Sequence, residues 1–100
     1  MVEARGTQSF GRAMALLDEL ANAAVEGRTV MTLGELSTVS GLAKSTTHRL
    51  LTGLSEHAMV ARTEDGGYVL GPALVSYGRI AAEVLDTHHV LTEPSPLQQA

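Results

Sequence analysis

Residues 33–54 have the sequence LGELSTVSGLAKSTTHRLLTGL, in which two short amphipathic segments are separated by a turn around Gly41. Thr32 and Glu35, three positions apart, form the pattern of a capping box and predict that a helix begins here. The residues that this helix is expected to bury are Leu33, Leu36 and Val39. Gly41 stands where the chain must turn sharply, a position that favours a residue tolerant of positive φ.

The second segment predicts a helix over about residues 44–56. The residues of its inward face follow helical spacing and are Thr47, Leu50, Leu51 and Leu54. The opposite face is polar and basic and consists of Lys44, Ser45, His48, Arg49 and Thr52. Two short helices joined by a tight turn, the second with a polar and basic face, are typical of a helix-turn-helix, which places its second helix in the major groove of DNA.

A longer helix is predicted before this unit. Apolar residues between positions 10 and 24 recur at the spacing of one helical face, with Ser9 as the N-cap and Gly27 as the end. The short run at residues 29–31 contains β-branched side chains and is expected to form a strand.

Two further strands are predicted over residues 59–62 and 68–70, and the residues between them are rich in turn formers. They form a β-hairpin, or wing. After a break at Gly71-Pro72, a final helix is predicted whose apolar stripe consists of Ala73, Leu74, Tyr77, Ile80, Ala81, Val84 and Leu85. The order of elements predicts a mainly α fold with a small β-hairpin, a winged helix-turn-helix.

The composition limits the possible functions. The chain has 100 residues, 44% of them hydrophobic, which indicates one globular domain with at most a short extension. It has no cysteine, which excludes disulfides and thiolate zinc sites. No signal peptide or membrane span is apparent, so a cytoplasmic protein is expected. The adjacent His88 and His89 lack a third ligand at metal spacing, and no serine lies in a nucleophile motif, so no metal, cofactor or catalytic residue is expected.

The charge distribution matters more than the total. A net charge of −4 argues mildly against nucleic-acid binding. Between residues 44 and 62, however, the basic residues Lys44, Arg49 and Arg62 face a single acid, Glu56, a local balance of +2. The face predicted to meet DNA is therefore positive within an acidic chain.

Four blocks of sequence carry a resemblance to a known family. They are Gly11-Arg12-Ala13 with Leu16-Leu17, TLGEL from Thr32 to Leu36, GLAKSTTHRLL from Gly41 to Leu51, and YVLGPAL from Tyr68 to Leu74. Through these blocks, over about residues 8–85, the chain resembles the N-terminal domain of the IclR family of bacterial transcription regulators. The resemblance implies a sequence-specific DNA-binding regulator, a repressor or an activator, and no enzyme.

The chain departs from the family pattern in four respects. Ala43 stands where proline is frequent, and Ala58 stands where glycine is usual. The wing carries less positive charge than is common in the family, at Ala61, Gly66 and Gly67. The chain also ends where the family normally continues into a second, ligand-binding domain, so no effector is expected to bind this segment.

The resemblance, together with the chemistry of the side chains, implies a set of DNA-binding residues: Lys44, Ser45, Thr46, His48, Arg49, Thr52, Arg12 and Arg62. Hydroxyls and backbone N–H groups at a helix N-terminus can bind phosphate oxygens, and arginine can form a bidentate pair with guanine. His48 either contacts DNA or is solvated. Arg12 either touches the DNA backbone or pairs with Asp18 or Glu19, and Arg62 has the same two alternatives, contact or local pairing.

The apolar stripe of the final helix is wider than packing on a small wing requires. The helix either folds back onto the core of its own domain or, like the linker helix of the family, pairs with a second copy together with the first helix. The dimerisation residues are then Leu74, Tyr77, Ile80, Ala81 and Val84. A homodimer sets two recognition helices about one turn of double-stranded DNA apart, or a multiple of it, and predicts a palindromic operator.

The chain is thus divided into a flexible N-terminal arm at 1–8, a winged helix-turn-helix domain at 9–71 with its wing at 59–70, a linker helix at 72–86, and residues 87–100. The last segment is either a tail or the beginning of an absent effector domain, in which case the chain is a fragment. A winged-helix protein-interaction module without DNA binding is the alternative function, because the total charge is acidic and the wing is weakly charged.

Overall fold

Four helices and one two-stranded antiparallel sheet make up the part of the chain that the computed structural model describes, which is the backbone of residues 3–89 and the side chains of residues 8–89. The elements in chain order are α1 (Glu3–Val25), α2 (Leu33–Ser40), α3 (Lys44–Glu56), β1 (Val60–Arg62), β2 (Tyr68–Leu70) and α4 (Ala73–Thr87). The predicted fold class, mainly α with a β-hairpin in a winged helix-turn-helix, is confirmed.

The core lies where α1, α2 and α3 meet the sheet. Its buried apolar residues are Leu16, Leu17, Leu20, Met31, Leu36, Leu51, Val60 and Tyr68. Thr47 of α3 is fully buried among them, and its Oγ1 donates a hydrogen bond to the carbonyl oxygen of Ala43 over 2.9 Å. Because that hydroxyl has a partner, its burial carries no unsatisfied polar group. The predicted inward face of α3 is confirmed, with Leu50 and Leu54 half-buried against this core.

The start and end of α2 follow the prediction. The backbone N–H of Glu35 donates to Thr32 Oγ1 over 3.1 Å, and the backbone N–H of Thr32 donates to Glu35 Oε1 over 2.9 Å. This is the reciprocal pair of a capping box. At the other end Gly41 has φ of +74°, the left-handed conformation that glycine adopts without steric cost.

The first helix is longer than predicted. It begins at Glu3, so Ser9 lies inside α1 instead of capping it, and residues 3–8 of the predicted arm are helical. These residues, EARGTQ, include good helix formers but no apolar residue at core spacing. The apolar periodicity that indicates a buried face therefore begins at residue 10, several residues after the start of the helix at Glu3.

Two other local predictions are wrong. Val39 is 49% exposed, because the buried face of the short helix α2 centres on Leu36. The strand expected at residues 29–31 is reduced to a single bridge between Met31 and Tyr68 of β2.

The final helix leaves the body of the domain soon after it starts. The backbone N–H of Ala73 donates to the carbonyl oxygen of Ala58 over 2.9 Å, and Leu74 packs against the core. Beyond Leu74 every residue of α4 is exposed, including Tyr77 at 60% and Ile80 at 63%. The alternative that this helix folds back onto its own core is therefore wrong. Residues 90–100, most of the predicted tail, lie outside the described residues.

Candidate nucleic-acid interface

The outer face of α3 carries most of the predicted DNA-binding residues. The exposed ones are Lys44, Ser45, His48, Arg49 and Thr52, while Thr46 is half-buried. Residues 45, 48, 49 and 52 are spaced at i, i+3, i+4 and i+7, so they lie on one side of the helix. Because the opposite side is fixed by the burial of Thr47 and Leu51, this face must point away from the protein.

The N-terminus of α3 has no side-chain cap. Ala43 occupies the N-cap position and makes no side-chain hydrogen bond to the first turn. The first backbone N–H groups of a helix have no partner within it, and together with the helix dipole they form a site for an anion. In this chain Lys44 and Ser45 add an ammonium group and a hydroxyl at that position.

Serine side chains hold the turn between α2 and α3. Ser37 Oγ donates to the carbonyl oxygen of Leu42 over 2.6 Å, and the backbone N–H of Leu42 donates to Ser40 Oγ over 3.3 Å. These bonds restrain the angle at which α3 leaves α2. Neither serine was predicted from the sequence to have this role, although Ser40 adjoins the helix-ending Gly41 and serine is a residue that readily bonds to nearby backbone groups.

The wing is a short, tightly bonded hairpin. Val60 pairs with Leu70, Ala61 with Val69, and Arg62 with Tyr68. Its turn is closed by hydrogen bonds from Thr63 N–H to the Gly67 carbonyl oxygen and from Gly66 N–H to the Thr63 carbonyl oxygen, each 3.0 Å long. Arg62 is exposed, but its Nη2 donates to the Gly66 carbonyl oxygen over 3.0 Å.

Two further charged groups border the interface. Glu56, the last residue of α3, is exposed and follows Thr52 by four positions, so its carboxylate lies on the outer face of the helix.

Glu35 forms an exposed ion pair with Arg28. The hydrogen bond from the Thr32 backbone N–H, and secondarily the charge of Arg28, hold the pKa of Glu35 below its usual value.

Arg12 lies exposed on α1. Within residues 8–89 it forms no ion pair with Asp18 or Glu19, the partners that the sequence had offered as an alternative to DNA. Arg12 is distant from α3 in sequence. Its helix nevertheless packs against α3, because Leu16 and Leu20 of α1 share one core with Leu51 of α3.

Neither a metal-binding cluster nor a membrane-spanning helix occurs among the described residues. No three histidine, cysteine, aspartate or glutamate side chains between residues 8 and 89 lie close enough to hold a metal ion. His88 Nδ1 instead lies 3.0 Å from the Val84 carbonyl oxygen at the end of α4. None of the described helices is long and apolar enough to cross a membrane.

An exposed, uncapped recognition helix beside a β-hairpin defines a winged helix-turn-helix domain of the DNA-binding type. The IclR helix-turn-helix domain matches residues 9–64. The chain belongs to the IclR family, whose members are transcription regulators.

Known proteins of this family share sequence and fold with the chain. It is 32% identical over 60 residues to the HTH-type transcriptional regulator KipR of Bacillus subtilis, a match that covers 60% of this chain and 24% of KipR. The IclR transcriptional regulator from Alicyclobacillus acidocaldarius is similar in structure, with a TM-score of 0.70 and 28% identity over 77% of this chain and 30% of that one. A structure described as an IclR regulator from Silicibacter sp. TM1040 gives a TM-score of 0.70 and 26% identity, over 78% of this chain and 30% of that one. The chain thus spans less than a third of the length of these relatives.

Proposed function

We propose that the chain is the DNA-reading part of a transcription regulator, which binds a specific operator in double-stranded DNA and acts in the cytoplasm. The observation that carries the proposal is the face of α3, where Lys44, Ser45 and Arg49 are exposed beside an uncapped helix N-terminus. An anion-binding helix end combined with a bidentate donor one turn later matches what a DNA major groove offers: phosphates at its edge and bases on its floor.

Each residue of that face has a role in the proposal. Lys44, Ser45 and Thr46 bind phosphate oxygens, since ammonium, hydroxyl and backbone N–H groups meet at the start of α3. Arg49 pairs with the edge of a guanine, where arginine fits the N7 and O6 acceptors. His48 and Thr52, adjacent to it on the exposed face, contact bases or the sugar-phosphate backbone. Arg12, which is exposed on α1, binds a further phosphate.

We further propose that two copies assemble through α4 and α1. The exposed apolar residues of α4 that form the interface are Tyr77, Ile80, Ala81 and Val84, and those of α1 are Phe10 and Met14. Phe10 is 68% exposed and Ile80 63%. Burying a large apolar side chain stabilises by roughly 1.5–3 kcal/mol, so leaving this stripe in water is unfavourable. Leu74 anchors α4 to its own domain and contributes a smaller part of the interface.

Sedimentation equilibrium tests the dimer. Ile80→Glu is expected to shift the chain toward the monomer, because a carboxylate would be buried in the apolar interface. Arg79→Ala changes the opposite face of α4 and is the matched control that should leave the distribution unaltered. A wild-type chain that sediments as a monomer at high micromolar concentration would rule the homodimer out.

Selection of binding sites from random duplex DNA tests operator binding. Enrichment of a sequence with two-fold symmetry is expected. For the enriched duplex, the logarithm of the binding constant should fall linearly with the logarithm of salt concentration, by about 0.9 per phosphate contacted. Arg49→Ala should weaken binding by about 1–3 kcal/mol and relax the preference at one base pair, while Arg79→Ala again serves as the control.

The alternative is a winged-helix module that binds protein, and two observations favour it. Glu56 places a carboxylate on the outer face of α3, and the chain as a whole has a net charge of −4. Failure of the selection to enrich any duplex at low salt would support this alternative against the proposal.

A further inference from the structure

Arg62 lies at the end of β1, next to the turn of the wing, where a DNA-binding arginine would be expected. We propose instead that Arg62 is a positioning residue: it braces the wing turn through Gly66 and Tyr68, and it contributes to DNA binding through the shape of the wing without neutralising a phosphate. The effect on DNA binding rests on the proposed function. The restraint of the turn by Arg62 does not.

Two contacts already occupy the guanidinium of Arg62. Its Nη2 donates to the carbonyl oxygen of Gly66 over 3.0 Å, and its Cζ lies 4.9 Å from the centre of the Tyr68 ring. The first contact joins the side chain to the turn, and the second joins it to the paired residue on the neighbouring strand. The guanidinium thus connects the two ends of the segment that closes the hairpin.

The Tyr68 ring is a fixed platform for this contact. Tyr68 is 2% exposed, and its backbone exchanges hydrogen bonds with Met31 in both directions, over 2.8 and 3.0 Å. Immediately before Tyr68, a Cβ at Gly67 would overlap the Val30 side chain. The start of β2 is therefore held against the body of the domain by contacts that do not involve Arg62, whereas the turn around Gly66 lacks such contacts.

Gly66 is the position at which the turn needs support. It has φ of +89°, a conformation that glycine adopts easily but also leaves easily, because glycine has the largest conformational freedom of any residue. Its N–H is bonded to Thr63 and its carbonyl oxygen to Arg62. The bond from Arg62 thus restrains this left-handed glycine through a side chain as well as through the backbone.

The charges around the turn also argue against a phosphate site. Glu64 and Asp65 are both exposed in the segment that Arg62 braces, so residues 62–67 carry one cation and two carboxylates, a net charge of −1. A phosphate bound at Arg62 would therefore lie beside a turn whose net charge is negative. An arginine that is bonded to its own turn suits this setting better than one that is reserved for DNA.

Lysine cannot replace arginine in this role. A planar guanidinium can stack on a ring and donate in its own plane at the same time, whereas an ammonium group is a point charge on a flexible stem. In neutralising a phosphate, by contrast, each of the two residues contributes one positive charge and the same increment to the salt slope. The comparison of Arg62→Lys with Arg62→Ala therefore separates bracing from charge neutralisation.

The first measurement is amide hydrogen exchange in the full chain without DNA. In Arg62→Lys and Arg62→Ala the Gly66 and Gly67 N–H groups should exchange about two- to fivefold faster, the range expected for loss of an exposed cation–π contact. The Met31 and Tyr68 N–H groups, which Arg62 does not hold, should be unchanged and show that the fold is intact. Unaltered exchange at Gly66 and Gly67 would overturn the inference that Arg62 restrains the turn, whether or not the chain binds DNA.

The second measurement is the salt dependence of binding to the duplex enriched by selection. Both variants should bind more weakly than wild type with the same log–log slope, while Lys44→Ala, at a proposed phosphate contact, should lower the slope by about 0.9. A slope lowered by about 0.9 in Arg62→Ala and restored in Arg62→Lys would show a phosphate contact and overturn the inference. If no duplex is bound at all, the proposed function fails. The exchange rates still show whether Arg62 restrains the turn of the wing.

Discussion

The backbone at Gly71 passes so close to Ala58 that a Cβ on residue 71 would overlap the Ala58 carbonyl oxygen. That Cβ would also lie 2.7 Å from Met59 C and 2.7 Å from Val60 N, and all three are backbone atoms that cannot rotate away. The same Ala58 carbonyl accepts the hydrogen bond from the Ala73 N–H. These two residues therefore form the joint at which α3, the wing and α4 meet.

Gly71→Ala should be strongly destabilising, by about 3 kcal/mol, because backbone must move to admit the methyl group. Urea unfolding followed by circular dichroism measures this as a lower midpoint at constant slope. Gly78→Ala is the matched control: a Cβ there meets nothing within 4 Å, and alanine is the better helix former. Equal midpoints for Gly71→Ala and wild type would show that the close approach is absent in solution.

Ala58→Gly should stabilise the chain. Ala58 has φ of +58°, the left-handed conformation that costs an L-residue roughly 1–2 kcal/mol, and part of the gain is offset by the greater freedom of glycine in the unfolded chain. A net gain of about 0.5–1 kcal/mol is expected, visible as a higher melting temperature. A lower melting temperature would mean that the alanine methyl group makes a favourable contact that outweighs the strain.

Thr32→Ala should cost about 1 kcal/mol, since the side chain that accepts the Glu35 N–H bond is lost at the N-cap of α2. Thermal unfolding at neutral pH measures the effect. Thr32→Ser keeps the hydroxyl oxygen and is the control, expected to remain close to wild type. If serine and alanine destabilise equally, the hydroxyl is not what caps the helix.

The other half of the capping box predicts a pH dependence. Because folding lowers the pKa of Glu35 from 4.5, its carboxylate contributes stability that is complete above that value and is lost as the pH falls through the lower pKa of the folded state. The stability difference between wild type and Glu35→Gln should therefore be constant near neutral pH and shrink in acid. Unfolding curves for both proteins between pH 7 and about pH 3 test this. A difference that grows in acid would have the wrong sign.

Glu56→Gln should tighten DNA binding, because it removes a negative charge from the outer face of α3. A gain of about two- to fivefold at low salt is expected, and it should fade as salt screens the repulsion. Glu83→Gln makes the same change on α4 and should have a smaller effect. Weaker binding by Glu56→Gln would indicate that the carboxylate accepts a hydrogen bond from a base, as a glutamate can from cytosine.

Sequence was sufficient for the helix-turn-helix because its signals are local. The capping box at Thr32 and Glu35, the glycine at position 41 and the spacing of Thr47 and Leu51 each specify a backbone conformation or a buried face within a few residues. The exposed face of α3 follows directly, since its inner face is fixed. The start of α1 was missed because helix propensity without a buried face leaves no periodic pattern.

The wing was harder to predict because its contacts depend on turn conformation. The sequence shows an arginine and a tyrosine at the ends of two strands, but the strand register and the left-handed Gly66 bring Arg62 over the Tyr68 ring. In the same way, the apolar stripe of α4 looks identical in a helix that folds back and in one that extends outward. What distinguishes the two cases is how α4 is attached at its start. In the folded chain this attachment is the hydrogen bond from the Ala73 N–H to the Ala58 carbonyl oxygen.

The bridge between Met31 and Tyr68 links the wing to the residue just before the cap of α2. Contacts within the protein, and not contacts with DNA, therefore set the distance between the hairpin and the recognition helix. We expect a DNA duplex whose grooves do not match that distance to bend or change its groove width on binding, at a deformation energy that depends on its sequence. Operator preference would then include base pairs that no side chain touches, chosen for how easily they deform.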